Sequence, residues 1–267
     1  MATSFGFVGC GTMGSALAAS FVRDFDPGCV FVADRSAEKA ESLSKKTGCI
    51  VCTAQEIAEK CDFIFLCVQS QKLDTLSAEI KNVLSAREKP FLLVSAVTGA
   101  SFARLRALFG DHPVIRMVPN LPVSIGAGVV AYLADGVDAE KLSLFTDCMS
   151  CAGMLRPMRS EHQLDAAYAL SGCAPAFTGM FLEALADAGV KCDLKRADAQ
   201  EMAAQTLLGS ARLLLESGLH PGALKDLTCT SGDAAITGVF ALEKETFRQK
   251  AFDAVISVYE KTEELSE

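Results

Sequence analysis

The chain has 267 residues, half of them apolar and 22% charged, with a formal net charge of −8 and a pI near 5. That length holds one large domain or two modest ones with a substantial core, and the apolar content excludes intrinsic disorder. No basic cluster interrupts the acidic balance, which argues against nucleic acid or an anionic membrane surface as a partner.

The first element expected is a strand over 4–9, closing in Gly9-Cys10-Gly11-Thr12-Met13-Gly14. This is G-x-G-x-x-G, the spacing that lets a strand turn tightly, approach a pyrophosphate with its backbone and pack a helix close behind. The helix that follows, expected over 12–24, would present unpaired N–H groups and a positive dipole end to that anion. A second strand over 29–33 ends at Asp34, Arg35 and Ser36, where the adenosine ribose of a dinucleotide would lie. The β-α-β context is what separates this motif from a plain glycine-rich turn.

Further strands are expected over 48–52, 62–68, 90–96, 113–117 and 127–133, and further helices over 36–47, 54–60, 71–86, 101–109 and 138–149. Alternation of this kind implies βαβ units and a parallel, doubly wound α/β sheet. Ala40, Leu43 and Lys46 give the 36–47 helix the thin apolar stripe of a surface helix. Two C-x-x-C pairs, Cys49/Cys52 and Cys148/Cys151, lack histidine partners at ligand spacing, so no metal site is expected. An odd count of 11 scattered cysteines, with no secretory leader and no run of ~18 apolar residues, gives the expectation of reduced thiols in a cytoplasmic, non-membrane protein.

The pattern changes near residue 158, which sets expected domains of 1–158 and 159–267. Beyond it the sequence reads as helices. Residues 176–190 and 202–215 are apolar almost all round, through Phe177, Met180, Phe181, Leu182, Leu207, Leu208, Leu213 and Leu214. A helix apolar on every face needs cover on every face, and a second subunit is the economical source of it. The small-residue loop 228–235, opening the next helix, is a candidate anion cradle built from backbone N–H groups. The competing reading is a hinge with Thr230 or Ser231 as N-cap.

Several stretches together resemble the pyrroline-5-carboxylate reductase family over nearly the whole chain. They are the glycine motif; Arg116-Met117-Val118-Pro119-Asn120-Leu121-Pro122 followed by Gly126 and Gly128; Leu170 to Phe177; Glu183 to Val190; and Ala203 to Thr206 through His220-Pro221 to Asp226. The resemblance implies a Rossmann domain followed by a helical dimerisation domain, with dimers that assemble further into decamers. It implies reduction of 1-pyrroline-5-carboxylate to proline, a step of amino-acid biosynthesis. NADP(H) is the favoured cofactor and NAD(H) the alternative, since Asp34 suits a ribose diol while Arg35 and Ser36 suit a 2′-phosphate.

Carried over by position, Val8, Gly9, Cys10, Gly11, Thr12 and Met13 would wrap the pyrophosphate. Asp34, Arg35 and Ser36 would meet the adenosine ribose. Cys67, Val68, Gln69 and Ser70, with Ala96, Val97 and Thr98, would line the cofactor path. Glu161 falls on the substrate-side acidic position and is the expected catalytic group. Thr230, Ala234 and Ala235 would hold the substrate carboxylate, and Tyr168 is a further substrate-side candidate.

This chain departs from the family at the substrate end. Cys173 and Ala174 stand where Ser and Gly are usual, Tyr168 where Thr is usual, and Cys229 to Ala235 lose two hydroxyls and a glycine while gaining Asp233. These changes leave two alternatives open, reduction of a related cyclic imino acid and a nucleotide-binding paralogue with impaired catalysis. A β-hydroxyacid-type dehydrogenase ranks lower, because Lys191 and Lys195 follow a helix without that family's motif.

Overall fold

The structure, a computed structural model, describes residues 3–266. Contacts divide the chain into two compact units, residues 1–173 with 258–267, and residues 174–257. The first unit is built in the order β1 (Phe5–Val8), α1 (Thr12–Asp24), β2 (Val30–Ala33), α2 (Ala37–Thr47), β3 (Ile50–Val51), α3 (Ala54–Lys60), β4 (Phe63–Leu66), α4 (Leu73–Ser85), β5 (Leu92–Ser95), α5 (Phe102–Phe109), β6 (Val114–Pro119), β7 (Gly128–Asp135), α6 (Ala139–Met149), β8 (Gly153–Pro157) and α7 (Glu161–Ala167). The second carries α8 (Ala174–Lys191), α9 (Arg196–Ser217), α10 (Pro221–Thr228) and α11 (Ala234–Lys244), and α12 (Phe247–Ser266) begins there.

The sheet runs β3-β2-β1-β4-β5-β6-β7-β8, with parallel pairs throughout except between β6 and β7. Side-chain alternation feeds two cores. Phe5, Phe7, Phe63 and Phe65 point to one face, where Phe21 of α1 joins them, and Ile64 and Leu66 point to the other, onto Ile57, Leu73 and Ile80. Phe7 stacks on Phe65 at 4.5 Å between centroids, and Phe21 meets Phe7 edge-on at 5.2 Å. Buried aromatic packing of this kind fixes α1 relative to the tips of β1 and β4, where the site is built.

Three expectations change. The sheet is not wholly parallel. Only residues 120–127 join β6 to β7, too short a stretch for the crossover a parallel pair requires, so β7 returns as an antiparallel neighbour. An eighth strand, β8, lies where the sequence predicted none; it is short, half-exposed and carries Arg156. The compact units divide at 173 rather than 158. The physical reason is that α7 and the π-helical turn Tyr168–Gly172 pack with the sheet unit, burying Leu164 and Ala169 and pairing two carboxylates with Arg116.

In the second unit, α8 and α9 pair closely at Gly189, where an added Cβ would stand 3.0 Å from that of Ala199. Among the described residues of that unit only Ala186, Ala199 and Ala203 are buried apolar side chains. Met180, Leu208, Leu215, Phe240 and Phe252 are all more than 60% exposed. The apolar faces expected to be covered are therefore bare within one chain. The helical stretch Glu161–Lys191 is also long and apolar enough, by length and composition alone, to cross a membrane, an exception to the expectation that no such run exists.

Candidate active site

The three motif glycines do different work. Gly9 has φ +109, a conformation that side chains disfavour, and an added Cβ would stand 2.5 Å from the Cys67 carbonyl oxygen. At Gly14 an added Cβ would fall 1.8 Å from the Gly9 carbonyl oxygen, so that glycine sets the close approach of α1 to β1. Gly11 is different: an added Cβ there meets no protein atom within 4 Å. Its backbone borders a cavity of about 1260 Å³ whose walls include Cys10, Gly11, Thr12, Met13, Cys67, Val68, Gln69, Ser70, Ala96, Thr98 and Tyr168.

Adjoining cavities continue in two directions. Toward the tip of β2, about 410 Å³ is bounded by Val8, Gly9, Asp34, Arg35 and Lys39. Ser36 borders a further space between α1 and α2, again with Lys39. Toward α7, about 240 Å³ is bounded by Met13, Ala96, Val97, Thr98, Arg116, Asp165 and Tyr168. The expected cofactor residues thus line one connected set of spaces in the first unit. Three cations that sequence reasoning missed, Lys39, Lys72 and Arg104, line the central cavity, and among the described residues no carboxylate does. Lys39 was findable, since it lies in the first turn of the helix that starts just after Arg35. Arg104 reaches the cavity because Ser70, through its Oγ at 3.3 Å, and Asp74 at 3.2 Å hold its guanidinium.

Asp34 does not simply offer its carboxylate to the cavity. Oδ2 accepts from the Cys10 N–H at 2.7 Å and Oδ1 from the Ser36 N–H at 2.8 Å. The carboxylate thereby ties the glycine loop to the tip of β2. Burial, reinforced by the charge of Asp34, pushes the Cys10 thiol up to about 12, so it stays a neutral wall group.

At the opposite end, Asn120 is buried and spans two elements. Its Oδ1 accepts from the Val129 N–H at 2.8 Å, and its Nδ2 donates to the Ser171 carbonyl at 3.2 Å. This holds the π-helical turn, an irregularity often found at functional sites, that presents Tyr168 to both the central and the 240 Å³ cavities. Burial and the Cys173 thiol push the Tyr168 phenol up, with a hydrogen bond to Thr98 acting against them, so the hydroxyl keeps its proton.

Glu161 is held in place by two donors. Its Oε1 accepts from the Phe102 N–H at 2.8 Å and from Nη1 of the buried Arg116. One turn further along α7, Asp165 borders the cavity instead, with its Oδ1 3.7 Å from Nη2 of Arg116. Glu161 and Asp165 are four residues apart on one helix face, a spacing visible in the sequence. Which of the two lines the 240 Å³ cavity was not.

The loop bearing Thr230, Ala234 and Ala235 belongs to the second unit. Gly232 has φ +78, and the Asp233 N–H returns to the Thr230 carbonyl at 3.1 Å. The Asp233 carboxylate makes no cap bond to α11 and accepts instead from the Thr230 hydroxyl at 3.3 Å. The first-turn N–H groups of α11 are therefore left without a side-chain cap. All 11 cysteines are free thiols, and among the described residues no group of three or more His, Cys, Asp or Glu is placed to hold a metal.

Residues 161–265 match the family model described as pyrroline-5-carboxylate reductase dimerisation, and residues 4–99 match that of NADP oxidoreductase, coenzyme F420-dependent. The chain is 35% identical to the pyrroline-5-carboxylate reductase of Escherichia coli (strain K12), covering 100% of this chain and 99% of that one. Among solved structures it is similar to a Plasmodium falciparum pyrroline carboxylate reductase with NADP bound, at a TM-score of 0.89 and 28% identity over 99% of this chain and 98% of that one. A pyrroline-5-carboxylate reductase from Coxiella burnetii matches at a TM-score of 0.87 and 26% identity, over 99% of both chains.

Proposed function

The chain belongs to the pyrroline-5-carboxylate reductase family, and from that premise we propose that it reduces 1-pyrroline-5-carboxylate to proline with a nicotinamide dinucleotide as reductant. It is an oxidoreductase acting on a CH–NH bond. The observation that carries the cofactor half is the open backbone at Gly11, beside a cavity walled by cations and, among the described residues, by no carboxylate. A dinucleotide's pyrophosphate requires both features.

NADP(H) is the favoured cofactor and NAD(H) the alternative. Arg35 and Lys39 supply positive charge at the ribose end, and Asp34 spends both its oxygens on backbone N–H groups, which lessens its rejection of a 2′-phosphate. When bound, the dihydronicotinamide supplies a hydride to the imine carbon, and the C=N electron pair ends on the ring nitrogen with its proton. A protonated imine is already electrophilic, so this chain's residues chiefly position and shield. The uncapped first turn of α11, with Thr230, Ala234 and Ala235, offers N–H groups to the substrate carboxylate. Tyr168 offers a neutral hydroxyl on the cavity wall. Glu161 orients Arg116 and the start of α5.

The protein is a homo-oligomer. We propose a dimer formed through the bare apolar faces of the second unit, its further assembly into a decamer, and residence in the cytoplasm. The dimer is supported by the exposure of those faces, whereas the decamer and the location rest on family resemblance. Oxidation of NADPH and NADH followed with pyrroline-5-carboxylate, beside its six-membered homologue, tests the reading. Turnover fastest with NADPH and the five-membered imine is the expected result. Nucleotide binding without turnover on either imine would overturn the reductase assignment.

A further inference from the structure

The 240 Å³ cavity shares Met13, Ala96, Thr98 and Tyr168 with the central cavity, and its remaining wall carries charge through Arg116 and Asp165. Charge accounting on that wall does not balance. Arg116 brings one positive charge and faces two carboxylates. Glu161 makes the closer contact and also takes the Phe102 N–H, so the guanidinium is committed mainly to it. Asp165 lies at 3.7 Å, with its side chain only 15% exposed against 38% for Glu161.

The other groups that face Asp165 are His162 on its own helix and, from α12, Glu263 and the neutral phenol of Tyr259. Glu161 and Glu263 repel its charge, and His162 offsets them only when protonated. Burial and these carboxylates outweigh Arg116, so the Asp165 carboxyl is raised from its ordinary value. A poorly hydrated, under-compensated carboxylate at the edge of a cavity is relieved by a cation placed in that cavity.

We propose that Asp165 is the countercharge for the oxidised nicotinamide ring, favouring the cationic form of the bound cofactor over the neutral reduced form. The inference rests on reading the central cavity as a dinucleotide site. The reduced ring is neutral and the oxidised ring carries one positive charge. An attraction to Asp165 therefore exists after the hydride has left and is absent before. An interaction that grows as charge develops is the kind that lowers a barrier rather than merely tightening binding. Asp165 also lies on the helix that Arg116 and Asn120, through the turn after it, hold against the sheet, so the carboxylate is already in place.

The test is equilibrium binding of oxidised and reduced nucleotide to the full-length protein, without any imine. For Asp165→Asn, the oxidised form should bind about tenfold more weakly relative to the reduced form, the scale of one ion–ion contact in a partly screened site. Affinity for the reduced form should hold within about twofold, and Asp165→Glu should keep the wild-type ratio. A second readout needs no variant. In wild type, the preference for the oxidised form should decline as pH falls from neutral toward the raised Asp165 pKa, because protonation removes the countercharge.

Equal weakening of both forms in Asp165→Asn would reduce Asp165 to a structural role and overturn the proposal. So would an unchanged ratio with a raised KM for the imine, which would assign the charge to the substrate. A pH-independent ratio in wild type would overturn it even if Asp165→Asn fails to fold. If wild type binds neither nucleotide form, the dinucleotide reading itself falls, a result distinct from all of these.

Discussion

Replacing Gly11 by Ala separates folding from cofactor binding at a single atom. The backbone there has φ −71 and ψ −172, open to any residue, and the new methyl meets no protein atom within 4 Å. Lower entropy of the unfolded chain favours Ala by about 0.4–1 kcal/mol. Loss of glycine at the N-cap of α1 disfavours it by a similar amount, on the order of 0.5–1 kcal/mol. The net change in stability is within about 1 kcal/mol, a Tm shift of roughly 2–4 °C at most for a unit of this size. The methyl nonetheless occupies the space through which a pyrophosphate would reach the loop N–H groups, so nucleotide affinity should fall at least about tenfold, or ~1.4 kcal/mol. Gly14→Ala is the matched contrast. Its methyl would fall 1.8 Å from the Gly9 carbonyl oxygen, and Gly9 is pinned by its N–H bond to Ala33 at 2.7 Å. Relief requires α1 to move off the sheet, at a cost of about 3 kcal/mol or more. Thermal unfolding and nucleotide titration of the two variants decide the matter. Wild-type affinity in Gly11→Ala would refute the argument that the pyrophosphate passes close to this backbone.

Two further outcomes are expected. Phe240→Glu and Leu208→Glu alter side chains that are 70% and 61% exposed within one chain; each removes about 2–3 kcal/mol of subunit burial, so sedimentation should show dissociation with helicity retained, and unchanged assembly would place the interface elsewhere. Burial holds the Cys61 thiol near 12, as it does Cys10, so both should resist alkylation at pH 8 while the exposed Cys192 reacts first; equal rates in mass-spectrometric footprinting would contradict the burial of Cys61.

Local chemistry makes the glycine loop and the elements around it legible in the sequence. Strand period, glycine spacing and helix-forming runs are short-range signals, and α1 and α3 occupy the residues that their periodicity predicts. What the sequence leaves open has a different cause. The antiparallel return of β7 follows from a loop length that is visible in the sequence but reads as one more parallel strand. The direction of the Asp34 carboxylate depends on where the Cys10 N–H points, a matter of loop conformation rather than of residue type. Glu161 and Asp165 have the same chemistry and the same helix face. Their surroundings differ because Arg116, distant in sequence, arrives nearer to one than to the other.

The same contrast explains where this chain has room to diverge. Gly9, Gly14, Asp34 and Asn120 are each locked by backbone contacts on a second element, so a change at any one displaces the loop it serves. The 228–235 loop is held differently. Asp233 is tied to Thr230 within the loop itself, by a side-chain bond at 3.3 Å and a backbone bond at 3.1 Å. Its N–H groups belong to the backbone and persist whatever side chains surround them, so the anion site proposed there does not depend on the family hydroxyls. The hydroxyl of Thr230 is not free in the same way, because it donates its hydrogen bond to Asp233. Asp233→Gly frees that hydroxyl and removes a negative charge beside the proposed anion site, so the KM for the imino acid should fall with little change in nucleotide affinity. A raised KM would instead show that Asp233 shapes the loop for its substrate.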